Sequence, residues 1–195
     1  MWEELVTSER ATEGESATAP RRRDRHLGAL TISIVAAVAL VAALVVTAQS
    51  GPTSAPSIAP LVRLGGGPPV WLPNPHSDAK HPTAVVFFAS WCPPCRAELP
   101  TVARIARQEE ASGGAVAFVG VDGNDDPTAG LAFARASGVT FPVGEDPASA
   151  VAPRFGLDGY PDTVFIGADG DVVGIVRGAV SAATLRGWLQ RLAAE

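Results

Sequence analysis

Cysteine and histidine are scarce: the 195 residues hold two of the first and three of the second. A structural zinc centre takes four ligands. With His26 far upstream, only His76, His81, Cys92 and Cys95 remain to form one. That set would pull apart the strand–helix junction on which both cysteines are expected, so no metal is expected. A basic surplus is also missing, since the formal net charge is −5. Binding phosphates needs a concentrated basic face, which excludes a nucleic-acid partner. Charged residues make up 18 % of the chain against 47 % hydrophobic, and 20 Gly with 17 Pro suit a compact, turn-rich domain. There is no internal repeat.

One long stretch lacks charge altogether. Leu27 to Ala48 is 22 residues without Asp, Glu, Lys or Arg. At about 1.5 Å per residue such a helix spans roughly 33 Å, enough for a hydrocarbon core of about 30 Å. Arg21, Arg22, Arg23 and Arg25 precede it, while residues 49–62 contain no Lys or Arg. The positive-inside rule then puts the N-terminus in the cytoplasm and everything after Ala48 outside. The expected organisation is a disordered cytoplasmic tail over 1–26, a single transmembrane anchor over 27–48, a flexible linker over 49–60 and a folded domain over 61–195. The expected location is the cell membrane, single-pass, with the C-terminal domain extracytoplasmic. Small residues at Val46-Thr47-Ala48 also allow a cleaved signal peptide, although the apolar stretch exceeds the usual length of about 7–15 residues. A twin-arginine signal is a further alternative, and both would still export the domain. A buried soluble helix is disfavoured because this one would be apolar all round.

Within the domain, Thr83 to Ser90 is a continuous apolar run with β-branched and aromatic residues, the pattern of a strand buried on both faces. Leu99, Val102, Ile105 and Ala106 recur at helical spacing from Pro93 to about Arg107. Ala115 to Val121 is a second buried strand, followed by the loop signal Asp122-Gly123-Asn124-Asp125-Asp126-Pro127. A helix over Thr128–Ala136, a short strand over Thr140–Val143 and a weak helix over Pro147–Phe155 follow. Thr163–Ile166 and Val172–Val176 flank Asp169-Gly170, a hairpin signal. Ser181 can cap a last helix from Ala182 to about Ala193, with Leu185, Trp188, Leu189 and Leu192 on one face. This order predicts an α/β fold: a mixed central sheet flanked by helices.

The chemistry concentrates in Cys92-Pro93-Pro94-Cys95. A cysteine where a strand feeds a helix N-terminus meets free amides and the positive end of the helix dipole, which stabilise its thiolate. Pro93 and Pro94 suit a first helical turn, which needs no amide donor, and they temper that stabilisation by removing donors. Cys92 would attack a partner and Cys95, one turn inside, would resolve the mixed disulfide. A purely structural disulfide is the alternative for an exported protein. Placement at a strand end behind Trp91 favours an exposed, reactive pair instead.

Phe87-Phe88-Ala89-Ser90-Trp91-Cys92-Pro93-Pro94-Cys95-Arg96-Ala97-Glu98-Leu99-Pro100 resembles the active-site signature of TlpA/ResA/CcmG-type thioredoxin-like proteins. Pro100 falls where such proteins kink this helix, and Gly159-Tyr160-Pro161-Asp162-Thr163 is similar to the loop whose proline is cis and faces the cysteines. The segment from about Gly123 to Phe155 resembles the family's βα-type central insert, with Phe141-Pro142 and Asp146 like its end. The resemblance covers roughly residues 60–195. It implies a thioredoxin-like fold and no cofactor beyond the redox-active Cys92–Cys95 disulfide. Catalytic roles fall on Cys92, Cys95, Pro161 and Glu98, and substrate contacts on Trp91, Pro93, Pro94 and Tyr160. Glu98, a helical turn past Cys95, would exchange that thiol's proton; the alternative is a solvated carboxylate. One departure stands out: plain thioredoxins carry a buried aspartate where this chain has Val85-Val86-Phe87.

The resemblance further implies reduction of disulfides in exported protein clients, such as the haem-attachment cysteines of cytochrome c. Electrons would come from a membrane thiol-transfer donor. A disulfide-forming oxidase is the rival enzyme, and Pro93-Pro94 does not decide between them. A copper chaperone would want a histidine pair after the cysteines, and none follows His81. A peroxiredoxin would want Thr or Ser three residues before its cysteine, where Ala89 stands before Cys92 and Cys92 before Cys95. A non-catalytic binding module of the same fold is the alternative from another class.

Overall fold

The structure, a computed structural model, describes residues 53–73 and 81–194. The tail expected over 1–26, the anchor over 27–48, the start of the linker and His76 lie outside the described residues. Among the described residues, no helix is long and apolar enough to cross a membrane.

Among the described residues, six strands form one mixed sheet, joined by three helices and a 3₁₀ turn. In chain order they are β1 (Thr53–Ser54), β2 (Thr83–Phe88), α1 (Pro93–Ala111), β3 (Ala117–Gly123), α2 (Pro127–Ala136), β4 (Val143–Asp146), the 3₁₀ turn (Ala152–Phe155), β5 (Asp162–Ile166), β6 (Asp171–Arg177) and α3 (Ala182–Leu192). Their lateral order is β1-β6-β5-β2-β3-β4. Pairings β2–β3 and β3–β4 are parallel, while β2–β5, β5–β6 and β1–β6 are antiparallel. This is the thioredoxin-like α/β arrangement.

Connection handedness explains the layers. Both β2–α1–β3 and β3–α2–β4 step the same way along the sheet, so right-handed crossovers put α1 and α2 on one face. There Val86, Phe88, Leu99, Val102 and Ala134 share a core with Leu185 and Leu189 of α3. The chain returns from β4 to β5 across the other face, where Phe155 and Leu157 pack on Val85, Phe87 and Val121. Covered on both sides, all six residues of β2 are buried, which is why its sequence is a continuous apolar run rather than an alternation.

Local chemistry sets the element ends. Asp126 caps α2 by accepting from the Thr128 and Ala129 amides at 2.9 and 3.0 Å, and Ser181 Oγ caps α3 by accepting from the Thr184 amide at 3.1 Å. The strand expected over Thr140–Val143 instead occupies Val143–Asp146. Pro142 has no N–H to give a ladder, so regular pairing begins after it. The helix expected over Pro147–Phe155 shortens to the 3₁₀ turn, because the Asp146 carboxylate takes the Ala150 and Val151 amides at 2.8 Å and holds that stretch as a loop.

The linker expected over 49–60 needs correction where it is described. Thr53 and Ser54 pair with Val172 and Asp171 at the open edge of β6, and Ala55 is buried beneath them. An edge strand offers unpaired backbone groups to any short extended segment, so pairing here needs no hydrophobic pattern. The ordered domain thus includes residue 53, ahead of the expected start at 61.

Candidate active site

Cys92 and Cys95 sit at the carboxyl end of β2, where ligand and reaction sites gather in parallel α/β sheets. Cys92 is the N-cap of α1 and accepts the Cys95 amide on Sγ at 3.2 Å. Pro93 and Pro94 occupy the first turn, where their missing N–H groups leave no bond unmade. The two sulfurs form a disulfide, with Cα atoms 5.2 Å apart. Both cysteines are buried, at 2 % and 1 % exposure, whereas the sequence predicts an exposed pair. What reaches solvent is the collar around them: Trp91, at 52 % exposure, with Pro93 and Pro94.

The opposite wall is the loop before β5. The Tyr160–Pro161 peptide is cis, and the Tyr160 carbonyl oxygen lies 3.5 Å from Cys92 Sγ. The Tyr160 ring meets Trp91 edge to face at 6.0 Å, and its hydroxyl shares a hydrogen bond of 2.6 Å with Ser149 Oγ. Gly123 allows that approach, because a Cβ there would fall 2.1 Å from the Tyr160 hydroxyl. The structure therefore brings Trp91, Cys92, Pro93, Pro94, Cys95, Tyr160 and Pro161 together. His81 lies at the far end of β2 from Cys92, a strand length away.

Glu98 is not a solvated carboxylate. Only 6 % exposed, it accepts the Val180 amide at 2.5 Å, on the face where α1 meets α3. Burial pushes its carboxyl from 4.5 up to about 7; the Val180 bond opposes this and the Asp162 charge adds to it. Asp162 follows Pro161 directly and is 3 % exposed. Its Oδ1 takes the Gly178 amide at 2.8 Å, and its Oδ2 is buried without a partner among the described residues. Burial raises its proton affinity also, against the Gly178 bond and the Arg177 charge.

Sequence reasoning missed four contributors. Asp162 was visible only as part of a loop motif. Ser90 and Asp125 form a clamp: both the amide and the hydroxyl of Ser90 donate to the Asp125 carboxylate, the hydroxyl at 2.9 Å. Arg96 Nε donates to the Ser90 carbonyl at 2.7 Å. The acidic run 122–126 was readable as a loop, and nothing in its spacing pointed across to Ser90.

Known proteins fit this picture. The AhpC/TSA family model matches residues 74–175. The chain is 30 % identical over 109 residues to the thiol-disulfide oxidoreductase ResA of Oceanobacillus iheyensis, covering 56 % of each chain. It is 36 % identical over 90 residues to the thiol:disulfide interchange protein DsbE homolog of Paracoccus denitrificans, covering 46 % of each. These matches span about half the length of the curated relatives. Among solved structures, a secreted Mycobacterium tuberculosis disulfide oxidoreductase homologous to E. coli DsbE superposes with a TM-score of 0.59 at 27 % identity, over 69 % of this chain and 96 % of that one. With more than half its length matched and a cysteine pair at disulfide distance on a thioredoxin-like sheet, the chain belongs to the AhpC/TSA family of the thioredoxin superfamily.

Proposed function

We propose that this chain is an extracytoplasmic thiol–disulfide oxidoreductase that reduces disulfides of exported proteins through Cys92 and Cys95. The observation that carries the reading is the Cys92–Cys95 disulfide at the start of α1, facing the Tyr160–Pro161 loop inside an exposed collar of Trp91, Pro93 and Pro94. The Cys95 amide on Cys92 Sγ and the α1 dipole favour a thiolate at Cys92 in the reduced form.

In the forward direction the Cys92 thiolate attacks one sulfur of a client disulfide and forms a mixed disulfide. The other client sulfur leaves as a thiolate and takes a proton. Cys95, deprotonated by Glu98, then attacks Cys92 Sγ. The Cys92–client bond breaks, the second client thiol is released, and the Cys92–Cys95 disulfide forms. Two electrons have passed to the client, and a membrane thiol-transfer donor restores the dithiol. A carboxyl held near 7 is matched to that proton transfer at neutral pH. Pro161 and Tyr160 shape the groove that seats the client backbone, with Trp91, Pro93 and Pro94 as contact surface.

The apolar segment 27–48 is read as the anchor that keeps the domain beside its donor, following a cytoplasmic tail over 1–26. Exported cytochrome c, with its paired haem-attachment cysteines, is the client class that the family resemblance implies.

Trapping tests the reading. Cys95→Ala in the full chain should accumulate mixed disulfides between Cys92 and exported proteins, released by dithiothreitol and identified by mass spectrometry. Their absence from Cys95→Ala, or their equal abundance in Cys92→Ser, would contradict it and favour a non-catalytic binding module.

A further inference from the structure

Asp162 is a buried carboxyl that the exchange chemistry above does not use. It is 3 % exposed at the start of β5, directly after Pro161. Its register partners are Phe87 of β2 and Arg177 of β6, and the Arg177 guanidinium donates to the Gly156 carbonyl at 3.0 Å. What Asp162 holds is the Gly178 amide, on Oδ1 at 2.8 Å, while Oδ2 is buried without a partner among the described residues. Burying a carboxyl for a single amide bond costs free energy, so stability alone does not account for the residue.

Gly178 opens a short strap, Gly178-Ala179-Val180, that joins β6 to the Ser181 cap of α3. Gly178 takes φ +75°, a conformation that glycine adopts without strain, and the chain turns there. At the other end of the strap, the Val180 amide donates to Glu98 Oε2 at 2.5 Å. Two buried acids therefore hold this strap, one at each end. Asp162 reaches it from behind Pro161, and Glu98 reaches it from α1, a turn past Cys95. Val180 is buried in the core that also contains Cys95, Leu99 and Leu185, whereas Gly178 is exposed and is tied down by Asp162.

We propose that Asp162 is a positioning residue: by holding Gly178 it fixes the strap whose Val180 amide orients the Glu98 carboxyl for proton exchange with Cys95. This inference rests on the oxidoreductase reading above and deepens it. Without the Gly178 bond the strap loosens, Glu98 loses its fixed donor, and Cys95 resolves the mixed disulfide more slowly. Attack by Cys92 draws on the Cys95 amide and the α1 dipole, neither of which belongs to the strap, so that step is spared.

The test separates the two thiol steps with dithiobis(nitrobenzoate), an aromatic disulfide, mixed at neutral pH with the reduced full chain, whose two cysteines are its only thiols. The Cys92 thiolate attacks one reagent sulfur and expels a first coloured aryl thiolate. Cys95 then gives its proton to Glu98 and attacks Cys92 Sγ, expelling the second aryl thiolate as the Cys92–Cys95 disulfide closes. The reagent gains the two electrons that the dithiol loses.

Asp162→Ala should leave the first release within about twofold and slow the second about tenfold, a part of the roughly 10²–10⁴-fold that a positioned proton-transfer group supplies. Asp162→Asn loses the charge but keeps an oxygen for the Gly178 amide, so it should restore the second release to within about threefold of wild type. In a Glu98→Gln background, itself slow in the second release, Asp162→Ala should add less than about twofold, because both changes act through one carboxyl. Asp162→Asn as slow as Asp162→Ala would make charge the cause and overturn the proposal. Full additivity with Glu98→Gln, or a second release unchanged in Asp162→Ala or in Glu98→Gln, would overturn it also. Should Asp162→Ala fail to fold, wild type and Asp162→Asn still decide by hydrogen exchange. The Gly178 amide should be protected in both. Unprotected exchange in the wild type, or a slow second release in Asp162→Asn, would refute the strap. The reagent needs no client, so this proposal can fail while Cys95→Ala still traps exported proteins. An absence of trapped clients would instead sink the oxidoreductase reading and leave both releases intact.

Discussion

Replacing Glu98 by Gln probes the buried carboxyl beside the cysteines. In the unfolded chain this group ionises near 4.5, and in the folded domain near 7. Between those values the native state holds a proton that the unfolded chain has released. The stability gained from holding it is therefore full below 4.5 and is lost as pH rises through 7. At about 1.36 kcal/mol for each tenfold change in proton affinity, the loss approaches roughly 3 kcal/mol at its ceiling. The substituted glutamine has the same shape, can accept the Val180 amide through its carbonyl oxygen, and never ionises. Glu98→Gln should thus nearly match the wild type at about pH 5 and exceed it by roughly 2–3 kcal/mol at about pH 8. Guanidinium chloride unfolding at both pH values, with the disulfide intact, measures this from midpoint and slope. Asp162, whose charge acts on Glu98, shares in the change, so the difference between variant and wild type reports the coupled pair. A difference that stays the same at both pH values would show that Glu98 is not held near neutrality by burial.

Gly130→Ala should destabilise the domain. The new Cβ falls 1.8 Å from Asp122 Oδ2, and overpacking of this kind costs about 1–3 kcal/mol, more than the helix propensity of about 1 kcal/mol that alanine restores. A thermal midpoint lowered by a few degrees is expected, and an unchanged or raised one would refute the packing argument. Cys92→Ser should abolish insulin reduction while leaving a single cooperative unfolding transition, and residual reduction would mean that Cys92 is not the attacking thiol.

Much of the fold was legible because its signals are local or sit in fully buried elements. The apolar run of β2 reads directly as a strand packed on both faces, and Ser181 announces a helix start through a side chain that bonds the amide three residues on. The hairpin between β5 and β6 was readable from Asp169-Gly170; Gly170 takes φ +87°, which glycine adopts without strain. Less legible were features made by backbone alone. β1 is two small polar residues whose only qualification is an open edge to pair with, and β4 starts late because Pro142 cannot donate. In the site, Cys92, Cys95 and the Tyr160–Pro161 loop stood out by motif. The burial of Glu98 and the grip of Asp125 on Ser90 depend on partners 82 and 35 residues away, and no sequence period carries that information.

The reduction potential of the Cys92/Cys95 couple, measured by glutathione or dithiothreitol equilibration of the full chain, tests the central claim most directly. A reductase of exported proteins should poise near or below about −230 mV, toward the thioredoxin end of the range. A value near about −120 mV would contradict it, because the dithiol would then be the stable form and the chain would act as an oxidant.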